Sequence, residues 1–209
     1  MHKKISIIMR CCNRLEYTIQ AINKIFSHKK IPFELILVDN ASTDGTQQWV
    51  QRVKENTDYY MDIIYIRLLE NVDRYGMREL KHATGEYIVQ VDNDIDTPEW
   101  IEDMLYVLEN TDYKIVMLKR KVNLFLEPKT NEETELTIGK IERPVACYMC
   151  HRDIFYKVDW SLPNGSKLHL ANIAGMVCKI LNVFCKEIEW DTTYIQHEKY
   201  ERKRLKQFV

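Results

Sequence analysis

Glycine and proline are scarce in this chain of 209 residues, at six and five respectively. That scarcity excludes collagen-like and low-complexity architectures. An excess of one charge is also missing. Thirty Lys and Arg stand against 31 Asp and Glu, a net charge of −1. No bulk positive field exists to hold nucleic acid, and any polyanion must be met by a local site. No apolar run approaches the roughly 20 residues needed to span a bilayer. Met1-His-Lys-Lys4 followed by Ile5-Ser-Ile-Ile-Met9 has only the outline of a signal peptide, because Arg10, Asn13 and Arg14 interrupt it and no small-residue cleavage site follows. Without a secretion signal, Cys11, Cys12, Cys147, Cys150, Cys178 and Cys185 are expected to be reduced thiols in a cytoplasmic protein.

What is present is an ordinary globular composition, 45 % hydrophobic and 29 % charged. At about 150 residues per domain, the length suggests one domain. Short Ile/Val-rich runs at Lys4–Met9, Glu34–Val38, Asp62–Arg67 and Glu86–Val91 read as strands covered on both faces. Leu15, Ile19, Ile22 and Phe26 recur at helical spacing between the first two. Ser42 or Thr43 is expected to cap a second helix carrying Trp49, Val50 and Val53. Thr97-Pro98-Glu99 reads as cap, first-turn proline and acid of a third, with Ile101, Met104, Leu105 and Leu108 on one face. Further strands are expected at Lys114–Leu118 and Val145–Cys150, a helix at Leu168–Leu181 and an extended piece at Tyr194–His197. Alternating strands and helices predict an α/β fold with a mostly parallel central sheet, helices on both faces and ligands beyond the carboxyl ends of the strands.

Two strand ends carry chemistry. Val91-Asp92-Asn93-Asp94-Ile95-Asp96 puts carboxylates at the end of an apolar run. Carboxylates this close repel one another, so a cation is expected among them, and removing one should relieve the fold. Hard oxygen ligands suit Mg²⁺ or Mn²⁺, which bridge to phosphate oxygens. A calcium loop is not expected, since Asp96 is followed by Thr97-Pro98 rather than Gly. The other end is Val38-Asp39-Asn40-Ala-Ser42-Thr43-Asp44-Gly45-Thr46, where Asp39 can accept a hydrogen bond from a nucleobase ring N–H.

Together these segments resemble the family-2 glycosyltransferases. Ser6-Ile-Ile-Met-Arg10-Cys-Cys-Asn13-Arg14 is similar to their first strand and turn. Val38–Thr46 is similar to their nucleotide-binding loop. Ala83-Thr-Gly85-Glu86-Tyr87-Ile88 leading into Val91-Asp92-Asn93-Asp94 is similar to the approach to their metal-binding D-x-D motif. The order matches over residues 4–108. The resemblance implies a single GT-A-type domain over residues 1–209, with residues 1–118 binding a nucleoside-diphosphate sugar and residues 119–209 forming an irregular acceptor side and a tail. It implies Mn²⁺ or Mg²⁺, transfer with inversion to an acceptor hydroxyl of a glycan, lipid-linked saccharide or protein, and no nucleic acid partner. By resemblance Asp39 contacts the base, Asp92 the ribose or sugar side and Asp94 the metal, with Asp92 a second ligand and His197 a candidate third. Arg10, Asn13, Asn40, Arg74 and Asn93 join the nucleotide-sugar-binding set.

Departures from the family pattern lie in the first turn, at Arg10-Cys11-Cys12, in the segment Asn71–Arg78, and most of all in the acceptor half. Asn172 stands where the family has its general-base acid, and an amide takes no proton at neutral pH. His169, Asp159 and Asp191 are the remaining candidates for the base, His169 by virtue of an unperturbed pKa of about 6.5. The alternative function is a degenerate module that binds the nucleotide sugar without transferring it. Cys147-Tyr-Met-Cys150-His151 matches a haem-attachment string and half a zinc site. Buried cysteines are the simpler expectation. Five bases and two acids between Glu198 and Lys206 form either a solvated helix or a peripheral contact with an anionic membrane surface.

Overall fold

A computed structural model describes residues 4–27, 30–56, 63–72, 79–96, 100–118, 147–156, 185–188 and 193–194. Its strands are β1 (Ile5–Cys11), β2 (Phe33–Asp39), β3 (Ile63–Arg67), β4 (Tyr87–Asp92), β5 (Ile95–Asp96), β6 (Ile115–Leu118), β7 (Cys147–His151), β8 (Cys185–Ile188) and β9 (Thr193–Tyr194). Its helices are α1 (Leu15–Ser27), α2 (Thr46–Asn56), α3 (Ile101–Asn110) and α4 (Arg152–Tyr156), with a 3₁₀ turn at Leu80–His82.

Seven strands form one sheet in the order β3-β2-β1-β4-β7-β6-β8. β1 to β4 are mutually parallel, β7 is antiparallel to both neighbours, and β8 is parallel to β6. The chain steps from β1 to β2 and β3 in one direction, then returns to place β4 on the other side of β1. The strand order therefore reverses between β1 and β4. This is the mostly parallel α/β sheet expected of the sequence.

Alternate strand residues build the core. Ile5, Ile7, Met9 and Cys11 of β1, Leu35 and Leu37 of β2, and Val89 and Val91 of β4 are buried against Ile22, Ile25 and Phe26 of α1, Val50 of α2 and Ile101, Met104 and Leu105 of α3. The opposite phase (Ile8, Ile36, Val38, Ile88, Tyr148, Cys150) is buried as well. Burial on both faces explains why the strands read as continuous apolar runs.

The strand starts are tied by a buried polar knot. Ser6 donates from Oγ to Glu34 Oε1 at 2.6 Å, and the same carboxylate oxygen accepts the Thr84 N–H at 2.6 Å and its hydroxyl at 2.9 Å. The Gly85 N–H donates back to Ser6 Oγ at 2.8 Å. The backbones approach so closely here that a Cβ on Gly85 would lie 2.5 Å from the Ser6 nitrogen. Ala83-Thr-Gly85 is thus a packing device at the end of the sheet opposite the strand-end residues Asp39 and Asp92.

Several boundaries differ from expectation. α3 starts at Ile101 with Trp100 as its cap residue and no side-chain cap bond, and the expected cap segment Thr97-Pro98-Glu99 lies outside the described residues. Ser42 and Thr43 do not cap α2. Its first turn closes from Trp49 N–H to Gly45 O, and Asp44 Oδ1 accepts the Thr46 N–H at 3.2 Å and hydroxyl at 2.6 Å. Asp44 reaches those donors because Gly45 adopts φ +93°, which a side-chain-bearing residue resists. β5 and β8 have no counterpart in the sequence expectation, being two and four residues long. The expected Leu168–Leu181 helix lies outside the described residues. Among the described residues, no helix is long and apolar enough to cross a membrane.

Candidate active site

The parallel strands deliver their terminal polar residues to one rim. Cys11 is in register with Asp39, Asp39 with Arg67, and Arg10 with Asp92. Each is the last or next-to-last residue of its strand. The rim lies beyond the carboxyl ends at the point where strand order reverses, the usual ligand position in open α/β sheets.

Asp39 is fully buried. Its Oδ1 accepts the Ser42 N–H at 2.7 Å, and its Oδ2 accepts the Tyr65 hydroxyl at 2.5 Å and Arg67 Nη1 at 2.7 Å. Burial alone would push this carboxyl up, but the hydrogen bonds from Ser42 and Tyr65 and the Arg67 charge outweigh it and hold its pKa below the ordinary value. Tyr65 moves upward, through burial and then through its bond to Asp39. Carboxylate and phenol therefore stay ionised and protonated, respectively, at neutral pH. Arg67 is the most exposed of this trio, its side chain 32 % exposed, and Tyr65 is only partly buried. Sequence reasoning missed Tyr65 and Arg67; the available clue was an arginine ending the strand expected beside the one that ends in Asp39.

The loops above the rim form one hydrogen-bonded unit. The Asn13 N–H donates to Ser42 Oγ at 2.8 Å, and Asn13 Oδ1 accepts the Thr43 N–H at 2.8 Å. The Leu15 N–H donates to Asp44 Oδ2 at 2.7 Å. Asn40 donates from Nδ2 to Asn71 Oδ1 at 2.6 Å and accepts the Val72 N–H at 2.9 Å, extending the lacing past β3. Asn13, Arg14 and Ala41 take positive φ of 55°, 68° and 60°. For Arg14 and Ala41 that conformation costs roughly 1–2 kcal/mol each, and it persists only where surrounding bonds fix it.

Across the strand reversal, Arg14 Nη1 lies 2.5 Å from Asp94 Oδ2, with both side chains mostly buried at 18 % and 14 % exposure. Arg10 pairs with Glu79 at 2.5 Å, beside the 3₁₀ turn. Asn93 is buried, and its Nδ2 donates to Thr18 Oγ1 of α1 at 2.8 Å, so it faces the helix and not the rim. The structure thus brings Asp39, Asn13, Asn40, Arg10, Asp92 and Asp94 to neighbouring strand ends and loops. Arg74, Asp159, His169, Asn172, Asp191 and His197 lie outside the described residues. β9 pairs antiparallel with β5, immediately after Asp94, so a late strand runs beside the acidic segment.

Among the described residues, no three His, Cys, Asp or Glu side chains gather to hold a metal. The donor chemistry at Asp94 nonetheless fits a hard cation: a guanidinium already stands on its carboxylate, and Asp92 ends the adjoining strand. Two carboxylates with water and phosphate oxygens are a usual set for Mg²⁺. The C-x-x-C string is not a metal site. Residues three apart on a strand point to opposite faces. Cys147 faces the α1–α3 core, and Cys150 is buried in the opposite phase. Burial raises both thiols.

Residues 6–135 match the sequence profile of glycosyl transferase family 2. The chain belongs to this family. The abequosyltransferase RfbV of Salmonella typhimurium is 26 % identical over 192 residues, 90 % of this chain and 54 % of that protein. In fold, the chain is similar to TarS of Staphylococcus aureus, solved with UDP-GlcNAc, at TM-score 0.68 and 22 % identity over 91 % of this chain and 57 % of that one. It is likewise similar to the mannosyltransferase PcManGT of Pyrobaculum calidifontis, solved with GDP-Man and Mn²⁺, at TM-score 0.70 and 15 % identity over 99 % of this chain and 61 % of that one. These likenesses establish the GT-A-type fold. The chain spans about half the length of the curated relatives it matches, 41 % and 54 % of the first two.

Proposed function

We propose that this family-2 chain transfers a sugar from a nucleoside-diphosphate donor to an acceptor hydroxyl, with inversion, in the presence of Mn²⁺ or Mg²⁺. The observation that carries the reading is the register of the strand ends, which sets Arg10 beside Asp92 and Arg67 beside Asp39 on one rim, with Asp94 just beyond. Donor complexes of TarS and of the mannosyltransferase, the latter with Mn²⁺, support it by analogy of fold.

In this reading Asp94 and Asp92 hold the cation, which when bound neutralises charge developing on the departing diphosphate. The β2 and β3 ends receive the base, with Arg67 presenting its exposed guanidinium and Asp39 fixing it. Asn13 and Asn40 keep the two loops at a constant spacing, and Arg10, held by Glu79, sits at the diphosphate side. Residues 119–209 furnish the acceptor side, with the base drawn from His169, Asp159 or Asp191 and His197 as a third metal ligand. Asn172, where the family expects an acid, favours a second reading in which the chain binds the nucleotide sugar without transfer.

Calorimetry with UDP, GDP and dTDP, with and without Mn²⁺, tests the proposal. Binding of at least one nucleotide, strengthened by Mn²⁺, is the expected result. Absence of binding to all three under both conditions would remove both readings. Firm binding without turnover across donors and acceptors would select the second.

A further inference from the structure

Arg14 is the feature of the rim that the proposed transfer leaves unexplained. It follows Asn13 in the β1–α1 turn, adopts φ 68°, and lays Nη1 on Asp94 Oδ2 at 2.5 Å across the β1–β4 reversal. Left-handed backbone is unfavourable for arginine, so the turn holds this side chain in place against a local preference. The Asn13 bonds to Ser42 and Thr43 on one side and the Leu15 bond to Asp44 on the other supply that constraint. What the constrained turn presents to Asp94 is a permanent positive charge, since a guanidinium does not deprotonate in proteins. The same carboxylate oxygen cannot serve the guanidinium and a divalent cation at full strength together.

We propose that Arg14 is an internal competitor for the metal position, occupying Asp94 until a divalent cation displaces it. The inference rests on the reading of Asp94 as a metal ligand. A cation arriving alone must break a charge-assisted, mostly buried pair, whereas one arriving with a nucleoside diphosphate brings anionic oxygens that compensate the guanidinium it releases. Metal and donor are therefore expected to load together, each strengthening the other by the same factor, as linkage requires. Arg14 acts here as a positioning residue; it sets when Asp94 becomes available.

The experiment is a Mn²⁺ titration without nucleotide, read by the loss of the free-ion electron paramagnetic resonance signal, on wild type, Arg14→Gln and Arg14→Lys. Circular dichroism melts confirm that each variant is folded, and Arg14→Lys preserves the charge should Arg14→Gln lose the turn. Hydrogen bonds to charged groups are worth enough that Arg14→Gln is expected to bind Mn²⁺ about tenfold more tightly than wild type. Arg14→Lys is expected to stay within about threefold of wild type, because the competing charge remains. Equal or weaker Mn²⁺ binding by a folded Arg14→Gln, or no binding by any of the three, overturns the proposal. Calorimetry of wild type with UDP and GDP in the presence of a chelator separates the two levels of failure. Nucleotide binding that persists there keeps the chain a nucleotide-binding protein while the competition is discarded, and its absence with and without metal discards the functional reading itself.

Discussion

Arg67 stands in register opposite Asp39 on the adjacent parallel strand, and its guanidinium grips the carboxylate at 2.7 Å. The acid expected to face a nucleobase is instead turned inward and fully buried, with Tyr65 completing its coordination. A buried carboxylate is tolerable only when paired and hydrogen-bonded, and this one is both. Its effect at the rim is transmitted through Arg67, whose orientation it fixes.

This arrangement makes stability sensitive to acid. The Asp39 pKa is lower in the folded chain than its ordinary value, so its contribution is fully present above about pH 4, the unfolded value, and is lost as pH falls through the folded value. Asp39→Asn is expected to cost about 3 kcal/mol at pH 7, because Arg67 and Tyr65 lose an ionised partner. Denaturant titrations at pH 7 and at pH 3 check it: the gap between wild type and variant should shrink at the lower pH. A constant gap would show that Asp39 contributes through packing alone.

The sheet was legible because its strands are buried on both faces, which leaves an unbroken Ile/Val signature at β1, β2 and β4. The strand-end carboxylates were legible because acids at the ends of apolar runs are conspicuous. Partners contributed from elsewhere in the sequence were not. Asn93 reads as a rim residue beside two aspartates, yet its amide is buried against Thr18 of α1. Arg14 reads only as part of the turn after the first strand, yet it crosses to Asp94, 80 residues away. Caps failed for a local reason: Ser42 and Thr43 have the right chemistry, but Asn13 and Asp39 claim their donors and acceptors first, leaving Asp44 for α2.

Gly85 is expected to be intolerant of any side chain. A Cβ there meets the Ser6 nitrogen at 2.5 Å and the Ile5 carbonyl carbon at 2.7 Å, both backbone atoms with no rotamer by which to retreat. Gly85→Ala must push β1 and the entry to β4 apart and strain the knot around Glu34. A loss of about 3 kcal/mol or more is expected, at the upper end for overpacking. Thermal melts of the variant check this, and a melting temperature within 2–4 °C of wild type, equivalent to about 1 kcal/mol at this chain length, would show that the strands relax instead.

Thiol reactivity should divide along the same structural lines. Cys147 and Cys150 are buried, and burial raises their thiols. Cys11 is raised by burial and by the charges of Asp39 and Asp44. Thiolate is the reactive form, so all three should resist alkylation in the native chain at pH 8 and react once it is unfolded. Mass-spectrometric mapping of iodoacetamide adducts with and without denaturant gives the answer. Rapid native labelling at Cys147 or Cys150 would contradict the placement of β7 between β4 and β6.

Asp94→Asn carries the test that joins stability to function. Crowded carboxylates alone would make this substitution neutral or stabilising, since it removes a repulsion. The Arg14 pair reverses the sign. With both side chains mostly buried, losing the charged partner is expected to cost about 1 kcal/mol, near the top of the range for partly exposed pairs. For a chain of this length that is a fall of about 2–4 °C in melting temperature. The same variant should abolish the Mn²⁺-dependent part of nucleotide binding, whereas Asp96→Asn should leave it intact. A melting temperature that rises would mean that repulsion with Asp92 outweighs the Arg14 pair. Retention of the Mn²⁺ effect in Asp94→Asn, with its loss in Asp96→Asn, would shift the metal position two residues along the chain and take Arg14 out of the competition.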